Sequence, residues 1–143
     1  MQEIIQLAAA TAGSLGFAAL FNIRGKKLVF ATLGGFFAWG VYLAVAQFSA
    51  NPYLCGFIAS VMLTLYAECM ARVHKTPVTV FLVSGAIPMI PGASLYYAMS
   101  CLVHQNWAEF TAQSTYAFLF AASMSAGITV TTIIFQNIWD HLK

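Results

Sequence analysis

An all-α polytopic membrane protein is what this sequence predicts, on three observations: a composition too apolar for water, hydrophobic runs of membrane-crossing length, and polar or turn-forming breaks between them. Of the 143 residues, 61% are hydrophobic and only 7% charged, with a mean hydropathy of +0.81, whereas a soluble domain has about 25% charged residues. Each spanning helix needs roughly 20 residues to cross about 30 Å of hydrocarbon. Five such runs fit, in a single transmembrane domain over 1–143. A nucleic-acid partner is excluded, because the net charge is only +2 and the six basic residues fall in two loop clusters and at the C-terminus rather than on one patch.

The first run covers about 4–21. Glu3 stands where a signal peptide carries its basic n-region, and no clear cleavage site precedes Asn22-Ile23-Arg24, so the run is expected to be retained as a span. The second run, about 28–48, lies between Arg24-Gly25-Lys26-Lys27 and Ser49-Ala50-Asn51-Pro52. The third, about 53–72, ends in the charged turn from Arg72 to Pro77; the fourth covers about 78–103 and the fifth about 115–139, with 104–113 as a loop between them. The small-residue spacings Ala12 to Gly16, Gly34 to Ala38, Ala122 to Ala126 and Ser123 to Gly127 favour close helix approach.

Orientation follows from the cations. With five spans, the loops bearing Arg24, Lys26, Lys27, Arg72 and Lys75 share a side with the C-terminal Lys143, while the N-terminus, Ser49–Pro52 and His104–Gln113 carry no Lys or Arg. The positive-inside rule then predicts an outside N-terminus and a cytoplasmic C-terminus in the cytoplasmic (inner) membrane. Tyr53 and Trp107 fall near the outer interface and Trp139 near the inner one, as an aromatic belt requires. An odd span count has a further implication. A related five-span unit placed before this one would make the two halves inverted repeats, the architecture of alternating access around a midplane site.

The fourth run does not read as a continuous helix. Pro88 and Pro91 each remove a backbone donor and clash with preceding carbonyls, and Gly85 and Gly92 flank them. Backbone groups freed at membrane depth are tolerated where protein or a water-filled cavity satisfies them. Transporters use such broken helices as solute sites. Ser84, Gly85, Pro88, Pro91, Gly92 and Ser94 are therefore candidate substrate-binding positions, with the N-terminus of a second half-helix after Pro91 available to a carboxylate. Tyr96 could cap the pocket with Tyr97, although a Tyr pair on a span also packs. The alternative for the whole segment is a proline kink held by neighbouring helices.

Glu68 is the one acidic residue inside a predicted span, which makes it a candidate for proton coupling or gating. It also stands one turn before Arg72, where an interfacial i to i+4 ion pair is the plainer reading. Arg72 and Lys75 can attract an anionic or zwitterionic solute to the cytoplasmic mouth or act only as topology determinants. In the fifth run Ser123, Ser125, Thr129, Thr131 and Thr132 can line a pathway or bond their own i−4 carbonyls.

The run Ala67-Glu68, Ala71-Arg72, Lys75, Pro77-Val78-Thr79-Val80-Phe81, Gly85, Ile87-Pro88, Pro91-Gly92, Leu95-Tyr96 and Ala98-Met99 resembles the threonine/serine exporter family in its small-subunit form. The resemblance implies a secondary exporter of small polar metabolites, threonine and serine or a dicarboxylate such as succinate. It implies a larger partner with a cytoplasmic N-terminal domain and another five spans, and no cofactor beyond a proton or ion gradient. Self-association is left open.

Other classes have less in the sequence. His74, His104 and His141 stand apart at span ends or in loops, so neither a metal set nor haem ligation is expected. Cys55 and Cys101 lie at matched depth while Cys69 lies near the other face, and free thiols are the expectation over a bridge. An intramembrane enzyme would need a nucleophile such as Ser84 or Ser94 beside a base; His104 is about 15 Å farther along. A non-transporting membrane scaffold is compatible with composition alone.

Overall fold

A computed structural model describes residues 1–141, with side chains for 1–138. Lys143 and the Trp139 side chain, used above for orientation, lie outside the described residues. The elements are α1 (Gln2–Leu20), α2 (Lys26–Ala46), α3 (Pro52–Val73), α4 (Thr79–Ala86), a 3-10 turn (Ile87–Met89), α5 (Gly92–Val103) and α6 (Trp107–His141), with no strand among the described residues. Helices α1, α2, α3 and α6 are each long and apolar enough to cross a membrane, and α4 with α5 makes a fifth if that bent pair counts as one span.

Local chemistry fixes the helix ends. Asn51 caps α3, its Oδ1 accepting the Tyr53 N–H at 3.0 Å, and Pro52 occupies the first turn, where a missing donor costs nothing. Helices α1, α3 and α5 stop in the same way: Asn22, Lys75 and Gln105 turn to φ of 58°, 49° and 57°. The next N–H in each case reaches back five residues, Ile23 to Ala18, Thr76 to Ala71 and Asn106 to Cys101, within 3.0 Å. These are Schellman closures without glycine, costing about 1–2 kcal/mol of left-handed strain each.

The loop expected over 104–113 is shorter than the sequence suggests. Asn106 Oδ1 accepts the Glu109 N–H at 3.4 Å while its Nδ2 donates to Glu109 Oε2 at 3.1 Å, a capping pair that starts α6 at Trp107. At 1.5 Å per residue the 35 residues of α6 extend about 52 Å, well beyond the roughly 30 Å of a hydrocarbon core.

Helix α3 is the centre of the bundle, packing against α2, α4 and α6; α1 lies on α2 and α5 on α6. Its buried positions are mostly small, including Gly56, Ala59, Ser60, Ala67 and Ala71, which lets neighbouring backbones come close. One core cluster joins Ala38, Ala59, Leu63, Met89, Phe120 and Met124, and a second joins Ala18, Ala31, Ala67, Ala71 and Phe81. Ile23 and Val78 both pack on the second cluster, so the two cation-bearing loops share one end of the bundle. The Ser123–Gly127 spacing seats α6 on α3: Ser123 Oγ donates to the Tyr53 carbonyl at 2.6 Å, and a Cβ at Gly127 would overlap Ser60 Oγ. The Ala12–Gly16 spacing does not do this within the chain. Both residues are exposed, and a Cβ at Gly16 would meet nothing within 4 Å.

Candidate functional site

The segment from α4 to α5 settles its own backbone account. Pro88 has no N–H, so the Ser84 carbonyl loses its helical donor. Ser14 of α1 replaces it, Oγ donating to Ser84 O at 2.8 Å in a fully buried position. Gly35 of α2 makes the bond possible, because a Cβ there would overlap Ser14 Oγ and stand 3.6 Å from Pro88 Cγ. Pro91 likewise frees the Ile87 carbonyl, which takes the Ile90 N–H at 3.1 Å in the 3-10 turn. The two helical pieces meet at a bend of 51°. Helix α5 begins without a side-chain cap, leaving the first-turn N–H groups at Ala93 and Ser94 without intrahelical acceptors.

A cavity of about 290 Å³ opens beside this turn. One wall is the backbone from Pro88 to Ser94, and the opposite wall is aromatic: Trp39 and Tyr42 from α2, Tyr116 and Phe120 from α6. Trp39 stacks on Tyr42 at 5.1 Å between centroids, Tyr42 meets Phe120 edge-on at 6.2 Å, and Tyr116 stacks on Phe120 at 6.0 Å. No Lys, Arg, Asp, Glu or His lines it. Two further hollows touch the same prolines, one of about 280 Å³ between Gln6, Gly13, Trp39 and Pro88, the other of about 270 Å³ between Pro91, Ser125 and Thr129.

The second candidate region is charged. A cavity of about 420 Å³ at the turn from α3 to α4 is lined by Glu68, Arg72, Lys75, Thr76 and Gln136. Glu68 is 2% exposed, and Arg72 Nη1 donates both to its Oε2 at 2.5 Å and to its carbonyl at 3.1 Å. The guanidinium lies 4.3 Å over the Phe135 ring. This combination holds an acid in a low-dielectric position with a paired cation at the cavity wall. Thr76 Oγ1 is buried there without a hydrogen-bond partner, and His74 Nε2 is in the same condition between the rings of Phe30 and Phe81.

The structure thus brings Pro88, Pro91, Gly92 and Ser94 to one cavity and Glu68, Arg72 and Lys75 to another. Ser84 and Gly85 stand behind the break instead: Ser84 Oγ bonds the Val80 carbonyl at 2.8 Å, and a Cβ at Gly85 would stand 3.3 Å from the Gly34 backbone. Tyr96 is 69% exposed and edge-on to Tyr97. Trp39, Tyr42, Tyr116 and Phe120 are absent from the sequence expectations. Their signal is faint, an aromatic pair three residues apart on α2 and another four apart on α6, because only the rotation of each helix shows that both pairs meet the same turn. The sulfurs of Cys55, Cys69 and Cys101 are free, and no group of three or more metal-ligating side chains occurs among the described residues.

A family model described as Threonine/Serine exporter, ThrE, matches residues 6–134, which takes in most of α1, all of α2 to α5, most of α6 and the whole aromatic cavity. No solved structure matches the chain.

Proposed function

Because this chain belongs to the threonine/serine exporter family, we propose that it is the small subunit of a two-component secondary exporter that moves small polar metabolites out across the cytoplasmic membrane. In this reading α4 and α5 form one broken span, the fourth of five, the N-terminus is outside and the C-terminus cytoplasmic. The clustering of Arg24, Lys26, Lys27, Arg72 and Lys75 at the α1–α2 and α3–α4 junctions, at one end of the bundle, supports that orientation. A larger five-span partner with a cytoplasmic N-terminal domain supplies the inverted half, and the broken span contributes this chain's share of a common site.

The observation that carries the reading is the uncharged, aromatic-walled cavity beside the break. A zwitterionic amino acid brings both charges with it. Its carboxylate gains about 0.3–1 kcal/mol, up to about 2, at the first turn of α5, and its ammonium about 0.5–2 kcal/mol over an aromatic face. A dicarboxylate would find no cation among these lining residues, so threonine and serine fit this half of the site better than succinate. The Glu68, Arg72 and Lys75 cavity is the cytoplasmic mouth, where Arg72 and Lys75 draw the carboxylate in and Glu68 couples transport to a proton or ion gradient.

The test is efflux from vesicles holding this chain with its larger partner, comparing threonine, serine and succinate with and without a proton gradient. Threonine and serine are expected to leave faster than succinate, and only with both subunits present. No movement of any of the three under any gradient overturns the transporter reading, and full activity of this chain alone overturns the two-component one.

A further inference from the structure

We infer that Phe135 of α6 is a positioning residue for the Glu68–Arg72 pair, its ring face holding the Arg72 guanidinium against Glu68 by cation–π attraction. The inference rests on the proposed coupling role of Glu68 and adds to that site a residue from a second helix.

Spacing on one helix does not by itself hold this pair. Glu68 and Arg72 stand one turn apart on α3, and such a pair contributes little where both groups are free in water. Here Glu68 is buried while the Arg72 side chain is 29% exposed, one residue short of the α3 end at Val73. A long basic side chain so close to a helix end ordinarily turns outward and keeps its charge in water. Arg72 instead folds back by a turn, its Nη1 donating to both the carboxylate and the carbonyl of Glu68. Something has to oppose the pull of water, and Phe135 stands where it can: Arg72 Cζ lies 4.3 Å from the centre of its ring.

The geometry suits that task. A guanidinium is planar and its donors point outward in the plane, so a ring lying on its face takes none of the edges that hydrogen bonds use. The negative face of the ring attracts the cation. It also keeps water from one side of the guanidinium, which strengthens the bond to Glu68. The next α6 residue, Gln136, lines the cavity together with Glu68 and Arg72, so the half-buried Phe135 stands at the edge of this cavity rather than in a distant core. Its ring thereby ties the α3 pair to α6, the helix that meets α3 elsewhere through Gly127 on Ser60 and Ser123 on Tyr53. An aliphatic side chain of the same shape would fill the space without attracting the charge.

The experiment replaces Phe135 in the two-subunit complex by ring-fluorinated phenylalanines and by β-cyclohexylalanine, and reads gradient-driven threonine efflux from vesicles. Fluorine drains the negative face of the ring while scarcely changing its size, and the saturated ring keeps the bulk without any such face. Efflux is expected to fall stepwise from phenylalanine through 3,5-difluorophenylalanine to 3,4,5-trifluorophenylalanine. With cyclohexylalanine the loss is expected to reach about fivefold, the scale of one partly desolvated cation–π contact. Efflux that stays equal across the series, or that does not follow the fluorine count, overturns the Phe135 assignment and leaves the coupling role of Glu68 standing, provided the wild type exports. Should the wild type export nothing, 15N NMR of the labelled full chain decides independently. The sequence has two arginines, Arg24 and Arg72, so Arg24→Lys leaves the Arg72 guanidinium as the one such signal. Its Nη protons, held by Glu68, are expected to exchange with water about fivefold faster once cyclohexylalanine replaces Phe135; equal exchange in the two proteins overturns the inference.

Discussion

The cavity at the helix break and the cavity at the α3–α4 turn are built from opposite chemistry. Beside Pro88 and Pro91 the walls are aromatic rings and backbone, with no ionisable side chain except tyrosine; around Glu68 they are an acid, two cations, a hydroxyl and an amide. Position explains the contrast. A full charge at the centre of a span costs about 2.5–3.5 kcal/mol on insertion scales, so a cavity within the bundle is lined by dipoles and ring faces. Near the end of a helix Arg72 and Lys75 can reach water, and Glu68 can be buried because Arg72 reaches it. The difference teaches that this chain keeps its ionisable side chains at a helix end and lines the break with rings and backbone, so the proposed binding and coupling roles fall on separate cavities.

The largest effect is expected where the charged region is stripped of its acid. Glu68→Gln keeps an acceptor for Arg72 but removes the charge, and gradient-driven efflux is expected to be lost while threonine exchange without a gradient persists. Wild-type efflux with an unchanged pH profile would reduce the Glu68–Arg72 pair to architecture and break the comparison. At the other cavity, Gly35→Ala forces a methyl onto Ser14 and costs about 2–4 kcal/mol through overpacking and loss of the buried bond to Ser84; thermal unfolding in detergent measures it, and an unshifted transition would show that the break does not depend on this contact. Ser14→Ala isolates the hydrogen bond alone, at about 1–3 kcal/mol by the same assay, because the carbonyl freed by Pro88 is left buried and unpaired. Tyr96→Phe is the smallest change. With its side chain largely exposed, the expected stability shift is within about 0.5 kcal/mol and threonine efflux is unaltered; a clear rise in KM would bring Tyr96 back to the site through a partner surface.

Much of the helical layout was legible before any coordinate. Asn51-Pro52 marked the start of α3, and the Arg72–Pro77 turn marked its end, because caps and prolines act through the backbone within a few residues. The early start of α6 has a local signal too, the Asn106–Glu109 spacing, but it lies inside the polar stretch 104–113 that reads as a loop. The prolines pointed to the α4–α5 interruption, yet the resident partner of the freed carbonyl, Ser14, is 70 positions away in sequence. No local rule links those two residues.

What the sequence by itself determined is the solvent, the helices and the weak point in the fourth run, since hydropathy, caps and the lack of proline donors are properties of short stretches. Tertiary structure alone decided which faces meet that weak point. It placed Ser84 and Gly85 behind the break as packing, left Tyr96 on the outer surface, and brought Trp39, Tyr42, Tyr116 and Phe120 to the cavity wall. The physical reason is that in spans apolar on every side, periodicity does not reveal which face turns inward; the choice is made by close contacts between helices, such as Gly35 against Ser14 and Gly127 against Ser60.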